Sequence, residues 1–311
     1  LRRLIVAEPA ASLAFTARGT EKPQGGSVKL WNMSILVNSL AFAFYMLAAV
    51  LSRPKPALVL GHAEGAASGA TQRSERWSTW VMALAWIAQT ITFAMVLHGE
   101  LQPHFGFAQA LSVTFWLVAA VYWVESLYYP LQMLRSWICL LAAISILLSW
   151  VFPGTFTPPY GAGPTFALHW AMGIASYGLF GAAVLHGILL WTAERSLHRR
   201  KGAVSGVSRS LPLLTLEKLT YRLAGVGFAL LTASLIFAAT FSEELFGKPF
   251  ELNHQAVFGI ASWLIFAVLM VGRVFLGWRG TRALAWLFGG TVLLMLTYVG
   301  SRFVLQVILH R

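Results

Sequence analysis

TFALHWAMGIASYGLFGAAVLHGILLWT, residues 165–192, decides the fold. It holds no charged side chain. At about 1.5 Å per residue it is long enough to cross a hydrocarbon core of roughly 30 Å. His169 opens the stretch and His186 lies near its end. Directly after it comes the basic run ERSLHRRK, residues 194–201. The positive-inside rule puts such a run in the cytoplasm. One helix therefore orients the chain and sets His169 at the opposite face.

The composition agrees. Of 311 residues, 58% are hydrophobic and only 11% charged, and the mean hydropathy is +0.68. Soluble domains carry about a quarter charged residues. Apolar segments here outnumber any core they could fill, so the chain reads as an all-α, polytopic transmembrane bundle. The net charge of +12 does not indicate nucleic acid. Most Lys and Arg sit in a few loops, as membrane topology requires. The single cysteine, Cys139, lies in an apolar run. It excludes an internal disulfide and a Cys-rich metal site, and reads as a small buried side chain. All 11 acidic residues are glutamate, which removes any mechanism that needs an aspartate.

Residues 1–32 read as an irregular arm with Arg2, Arg3, Arg18, Lys22, Lys29, Pro9 and Pro23. One reading makes Met33 the natural start and the arm non-native. A secretory signal is the weaker reading, since residues 10–17 are too weakly apolar. Residues 33–311 then form one eight-helix domain. Its spans are expected at 33–52, 77–98, 108–126, 134–152, 165–192, 219–242, 254–276 and 283–309.

Two loops set the topology. Loop 193–218 holds Arg195, Arg199, Arg200, Lys201, Arg209 and Lys218 and belongs inside. Loop 243–253 holds Glu243, Glu244 and Glu251 against Lys248 and belongs outside. Alternation puts 53–76, Arg135 and the Arg273, Arg279, Arg282 group inside. Loops 99–107 and 153–164 carry no Lys or Arg and fall outside, as do both termini. The Pro- and Gly-rich loop 153–164 can form an external lid, and 61–70 reads as a linker. Gly173, Gly178, Gly181, Ala182, Gly225 and Gly227 are expected to permit close helix contact.

With that topology five of the eight histidines gather outside: His98, His104, His169, His254 and His310. His62 and His198 fall in cytoplasmic loops, and His186 near the inner face. Imidazole ligates iron, zinc or copper, and a pair of imidazoles holds haem. Each histidine alone is more readily an interfacial side chain satisfied by water than a ligand. Arg302 lies about 7 residues, or roughly 10 Å, from the outer end of the last span. An intramembrane Arg is costly unless paired or hydrated. It can snorkel, pair with Glu100 or Glu243, or meet an anionic group such as a haem propionate. Glu125 reads as an inner interfacial group, and Gln89 as a hydrogen-bond donor between helices. Most of the 13 tryptophans, among them Trp77, Trp80 and Trp150, read as an interfacial belt. Trp170, beside His169, can also wall a flat macrocycle.

Three stretches resemble the CcsA/CcmC cytochrome c assembly superfamily, in its YpjD/HemX-like branch. HWAMGIASYGLFGAAVLHGILLW resembles the family helix that opens with an external histidine. NHQAVFGIASWLIFAVLMVGRVFLGWRGTRALAW resembles the family core, with G-W-R-G-x-R-A (Gly277 to Ala283) its most specific part. YVGSRFVLQVIL resembles the Y-F-G-S-R-F-V ending of the YpjD-like branch. The resemblance covers about residues 33–309.

The resemblance implies haem handling in an inner membrane, without covalent chemistry by the protein itself. It implies His169 and His254 as axial ligands at the outer face. His98 is a substitute, Arg302 a propionate partner and Trp170 a wall. The partners implied are the lipid bilayer, haem, and a cytochrome c assembly or haem-synthesis protein, with no nucleic acid. The Trp-rich W-G-x-x-W-x-W-D loop of the family is replaced by SEELFGKPFELNHQ, residues 242–255. That departure speaks against haem transfer to apocytochrome and leaves haem or metal binding. Two rivals are carried forward. One is an accessory to cobalt or magnesium transport or resistance. The other is a regulator of a tetrapyrrole-synthesis enzyme that docks through the basic loop.

Overall fold

The computed structural model describes residues 25–53, 64–98, 104–129, 131–156, 164–199, 213–247, 249 and 251–309. Helices dominate: α1 (Gly25–Leu51), α2 (Glu64–Leu97), α3 (Phe107–Ser126), α4 (Gln132–Val151), α5 (Pro164–Arg199) and α6 (Leu213–Thr240). They continue with the short α7 (Ser242–Phe246), α8 (His254–Phe275) and α9 (Gly280–Met295). The last span runs on from α9 through a π-helical turn (Leu296–Gly300), one α turn, α10 (Ser301–Phe303), and a second π-helical turn (Val304–Ile308). Two-residue strands β1 (His104–Phe105) and β2 (Thr155–Phe156) pair antiparallel, His104 opposite Phe156. They join the segment before α3 to the segment after α4 at one end of the bundle.

Among the described residues eight helices are long and apolar enough to span a membrane. Lipid cannot satisfy backbone N–H and C=O groups, so each span makes its hydrogen bonds internally as a helix. Only 28–44% of each span is buried inside the protein. The remainder carries large apolar side chains such as Leu36, Ile91 and Val226 outward, as lipid-facing helices do. The chain is a multi-pass membrane protein.

The bundle has two halves. One core joins α1–α4 around Tyr45, Met82, Ile138 and Ile146. The other joins α5, α6, α8 and α9 around Phe180, Phe266, Leu284 and Leu287. Phe180 and Phe266 stack at 3.8 Å between ring centroids. The halves meet where α3 crosses α5. There a Cβ at Gly178 would stand 2.7 Å from Leu117, and one at Gly181 would stand 3.1 Å from Val118. Gly227 gives α6 the same closeness to Phe180. Gly225 departs from expectation, since nothing lies within 4 Å of it.

Apolar packing in lipid lacks a hydrophobic driving force between helices, so polar contacts inside the first half matter. Tyr45 donates to Gln89 Oε1 at 3.0 Å, and Gln89 Nε2 donates to the Ser112 carbonyl and hydroxyl at 3.2 and 3.0 Å. Gln89 thus joins three helices, as its position in the sequence predicts. Cys139 is fully buried.

Several boundaries differ from the sequence reading. Residues 25–32, read as part of the arm, already belong to α1. Residues 64–70, read as linker, begin α2, since Ala and Glu outweigh the interspersed glycines. The sixth span begins at Leu213, six residues earlier than 219, because LLTLEK continues its apolar stripe. The tip of the proposed lid, His62, Glu100, His310 and the arm before residue 25 lie outside the described residues.

Candidate functional site: a histidine-bearing end of the bundle

His169 lies in the second turn of α5. Its Nδ1 is 3.3 Å from the Ser234 hydroxyl of α6. His254 is the first residue of α8, and its Nε2 is 2.6 Å from the Ser301 hydroxyl of α10. Gln255 Nε2 also donates to Ser301, at 3.3 Å. Asn253 caps α8 by accepting from the Ala256 N–H at 2.9 Å, which fixes where His254 leaves the helix. Each imidazole is therefore oriented by a hydroxyl on the neighbouring antiparallel helix. This is how proteins set the tautomer and direction of a ligating histidine.

The two histidines share an end. A Cβ at Gly259 would stand 3.6 Å from Leu235 and 3.7 Å from Thr297. Leu235 follows Ser234, which touches His169. Gly259 lies five residues into α8 from His254, about 7.5 Å along the axis. His169 is half-buried and His254 exposed, so both rings border the surroundings of the protein.

Arg302 follows Ser301 at the same end. Its guanidinium carbon lies 5.6 Å from the Tyr298 ring centroid. Its Nε is buried and has no hydrogen-bond partner among the described residues. Arg302 makes no ion pair with Glu243, one of the two carboxylates that the sequence offered. Trp170 is 39% exposed, so it projects from the α5 surface and is not packed into the core. His98 is exposed at the end of α2, in the other half of the bundle from His169 and His254. His104 sits in β1, and Gln306 joins this end to the start of α3 by accepting from the Phe107 N–H at 3.4 Å. Among the described residues no three His, Cys, Asp or Glu side chains gather to hold a metal ion.

A second pairing at the other end escaped the sequence reading. His186 Nε2 and Glu125 Oε2 stand 3.1 Å apart, within ion-pair distance but without hydrogen-bond geometry, and neither atom has a hydrogen-bond partner among the described residues. His186 is 1% exposed and Glu125 8%. His186 Nδ1 lies 2.8 Å from the Ala182 carbonyl, which only accepts, so Nδ1 carries a proton. The sequence places His186 and Glu125 near the inner ends of their spans but does not show that the two faces meet.

Arg135 is likewise buried, not a loop cation. It donates through Nε to the Tyr122 hydroxyl at 3.0 Å. Through Nη1 it donates to the Glu75 carbonyl at 2.9 Å and to Ser78 Oγ at 2.5 Å.

The family model described as "Cytochrome C assembly protein" matches residues 76–309. Among curated relatives, the inner membrane protein YpjD of Escherichia coli strain K12 is 29% identical over 179 residues. That match covers 56% of this chain and 66% of YpjD. The cytochrome c biogenesis protein CcsA of Gloeobacter violaceus is 33% identical over 104 residues, 33% of this chain and 31% of the relative. CcsA of Trichormus variabilis is 31% identical over 86 residues, 28% and 24% of the two chains. This chain therefore spans just under two thirds of YpjD and under a third of the CcsA proteins. No solved structure matches. A match to the family model over three quarters of the chain places it in the cytochrome c assembly protein family.

Proposed function

We propose that this protein binds haem at the outer face of an inner membrane, with His169 and His254 as the axial ligands. The observation that carries the reading is the serine-oriented pair of imidazoles at one end of one half-bundle. The donor set fits the group. Two neutral imidazoles saturate a haem iron, and an orphaned buried guanidinium N–H is a ready partner for a propionate. Haem, if bound, would be held by His169 and His254 and would supply a redox-active iron. Ser234 and Ser301 orient the rings, Arg302 meets a propionate, and Trp170 flanks the macrocycle beside His169. His98, the substitute ligand expected from the sequence, lies in the other half of the bundle, so the pair His169 and His254 carries the proposal. The protein performs no covalent chemistry of its own.

The relatives named for cytochrome c biogenesis support this reading, and YpjD supports placement in an inner membrane. A partner in cytochrome c assembly or haem synthesis follows from it. Divalent-metal transport has less support. Gln89, the amide buried within the second span, is engaged with Tyr45 and Ser112. Transport paths need polar groups left for the cargo.

The test is an absorption spectrum of protein purified from haem-replete cells. A Soret band is expected, and it should be lost in the His169→Ala, His254→Ala double variant. A band that survives both substitutions defeats the ligand assignment, and no band in the wild type defeats haem binding.

A further inference from the structure

The haem reading leaves the glycine-rich turn between α8 and α9 without a task. Gly277 and Gly280 adopt φ of 64° and 58°, a region that disfavours any side chain. The N–H groups of Leu276 and Trp278 both donate to the Gly272 carbonyl, at 3.2 and 3.0 Å. Trp278 folds back so tightly that a Cβ on Gly272 would collide with the indole. The Trp278 carbonyl accepts from Arg273 Nη1 at 3.1 Å, and the same nitrogen donates to Glu217 Oε1 at 2.9 Å. The Arg273 guanidinium lies 3.5 Å from the Tyr221 ring centroid. The turn thereby locks Arg273 onto α6.

Beside that lock, α6 and the turn border a cavity of about 450 Å³. Its charged lining is Lys218, Arg222, Arg273, Arg279 and Glu217. Glu217 is committed to Arg273, which leaves Lys218, Arg222 and Arg279 as three exposed cations around one concavity. A concave site lined by cations with donor-rich heads selects an anion with several acceptor oxygens. The apolar surroundings narrow the choice. Leu214 lines the cavity and is 70% exposed, and Val274, Phe275 and Leu276 on the adjoining end of α8 are 66–79% exposed. A free anion would leave that surface unused, whereas an amphiphile uses both.

We infer that this cavity binds the phosphate group of an anionic phospholipid. The lipid comes from the leaflet at the basic end of the bundle, and its acyl chains cover the exposed apolar side chains at the same level. The positive-inside rule makes that leaflet the cytoplasmic one. Basic pockets between spans at that depth hold phosphate head groups by charge-assisted hydrogen bonds. The site is at the opposite end from His169 and His254 and does not depend on haem.

The full chain is reconstituted in phosphatidylcholine, with or without a minor fraction of phosphatidylglycerol, and retained lipid is counted by native mass spectrometry. The wild type should retain phosphatidylglycerol selectively. The Arg222→Gln, Arg279→Gln double variant should lose apparent affinity by about tenfold or more, since two of the three cations are gone. Arg282→Gln is the control, because Arg282 stacks on Trp278 and does not line the cavity. Both variants should melt like the wild type in phosphatidylcholine alone. If the double variant cannot be isolated folded, Lys218→Gln carries the same comparison with a smaller loss. A third arm adds inorganic phosphate to phosphatidylcholine. If phosphate protects the protein as well as phosphatidylglycerol does, the lipid assignment is overturned in favour of a free anion. Equal retention by wild type and double variant overturns the site itself.

Discussion

Helix α5 carries a histidine towards each end, and the two settings differ. His186 is sealed between α3 and α5, its Nδ1 hydrogen-bonded to the Ala182 carbonyl and its Nε2 3.1 Å from the Glu125 carboxyl group. His169 is half-buried, and Ser234 reaches it from α6. The contrast extends to the neighbours. At the basic end Arg273 is held by a carboxylate, a carbonyl and an aromatic ring, and Arg135 by two hydroxyls and a carbonyl. At the histidine end Arg302 keeps an unsatisfied buried nitrogen, and at the basic end the Tyr221 hydroxyl and the Trp123 indole N–H are also buried without a hydrogen-bond partner among the described residues. Buried polar groups that satisfy one another stabilise a single arrangement. A buried donor left without a partner is where a ligand gains most from binding. The two ends therefore differ in exposure: His186 and Glu125 are sealed inside the bundle, whereas His169 and His254 border the surroundings.

That contrast can be broken by mutation. The largest loss is expected from Glu125→Ala, which strips His186 of its facing group. Removing one member of a buried pair costs about 3–5 kcal/mol. Thermal unfolding in detergent should show a large drop, while a haem spectrum from the residual folded protein should keep its shape. Arg273→Ala should follow at about 1–3 kcal/mol, since it frees Glu217 and the Trp278 carbonyl. The same melt reads it, and an unchanged midpoint would mean that the turn does not depend on Arg273. The smallest effect on stability should come from Ser301→Ala, about 1 kcal/mol or less. There the spectrum is the sensitive readout: with His254 no longer held, haem retention should fall although the melt hardly moves. Should Ser301→Ala destabilise the fold as much as Glu125→Ala, the distinction between the two ends fails.

Much of this was legible in the residues. Runs of about twenty apolar residues between charged loops can only be membrane helices, and all eight occur where the pattern puts them. Gln89 was legible too, because an amide amid apolar residues must find a partner. The misses share a cause. Glycines in residues 64–70 look like a linker, yet helix propensity is a weak prior beside tertiary context. Arg135 lies next to a loop, where a cation is ordinarily solvated. Only the packing of α4 against α2 and α3 shows the hydroxyls of Ser78 and Tyr122 waiting for it. His186 and Glu125 are 61 positions apart, and sequence distance carries no information on which faces of α3 and α5 meet. The serines that orient His169 and His254 were invisible for the same reason.

The wide turns of the last span have a bearing on all of this. A π-helical turn amounts to one residue inserted into an α-helix, so every side chain beyond it is advanced by about 100° around the axis. Leu296–Gly300 comes immediately before Ser301 and Arg302. The direction in which those two face is therefore a matter of phase, set by a single extra residue upstream. Shortening that turn by one position would swing the serine off the His254 ring and carry the arginine with it, leaving every other span untouched.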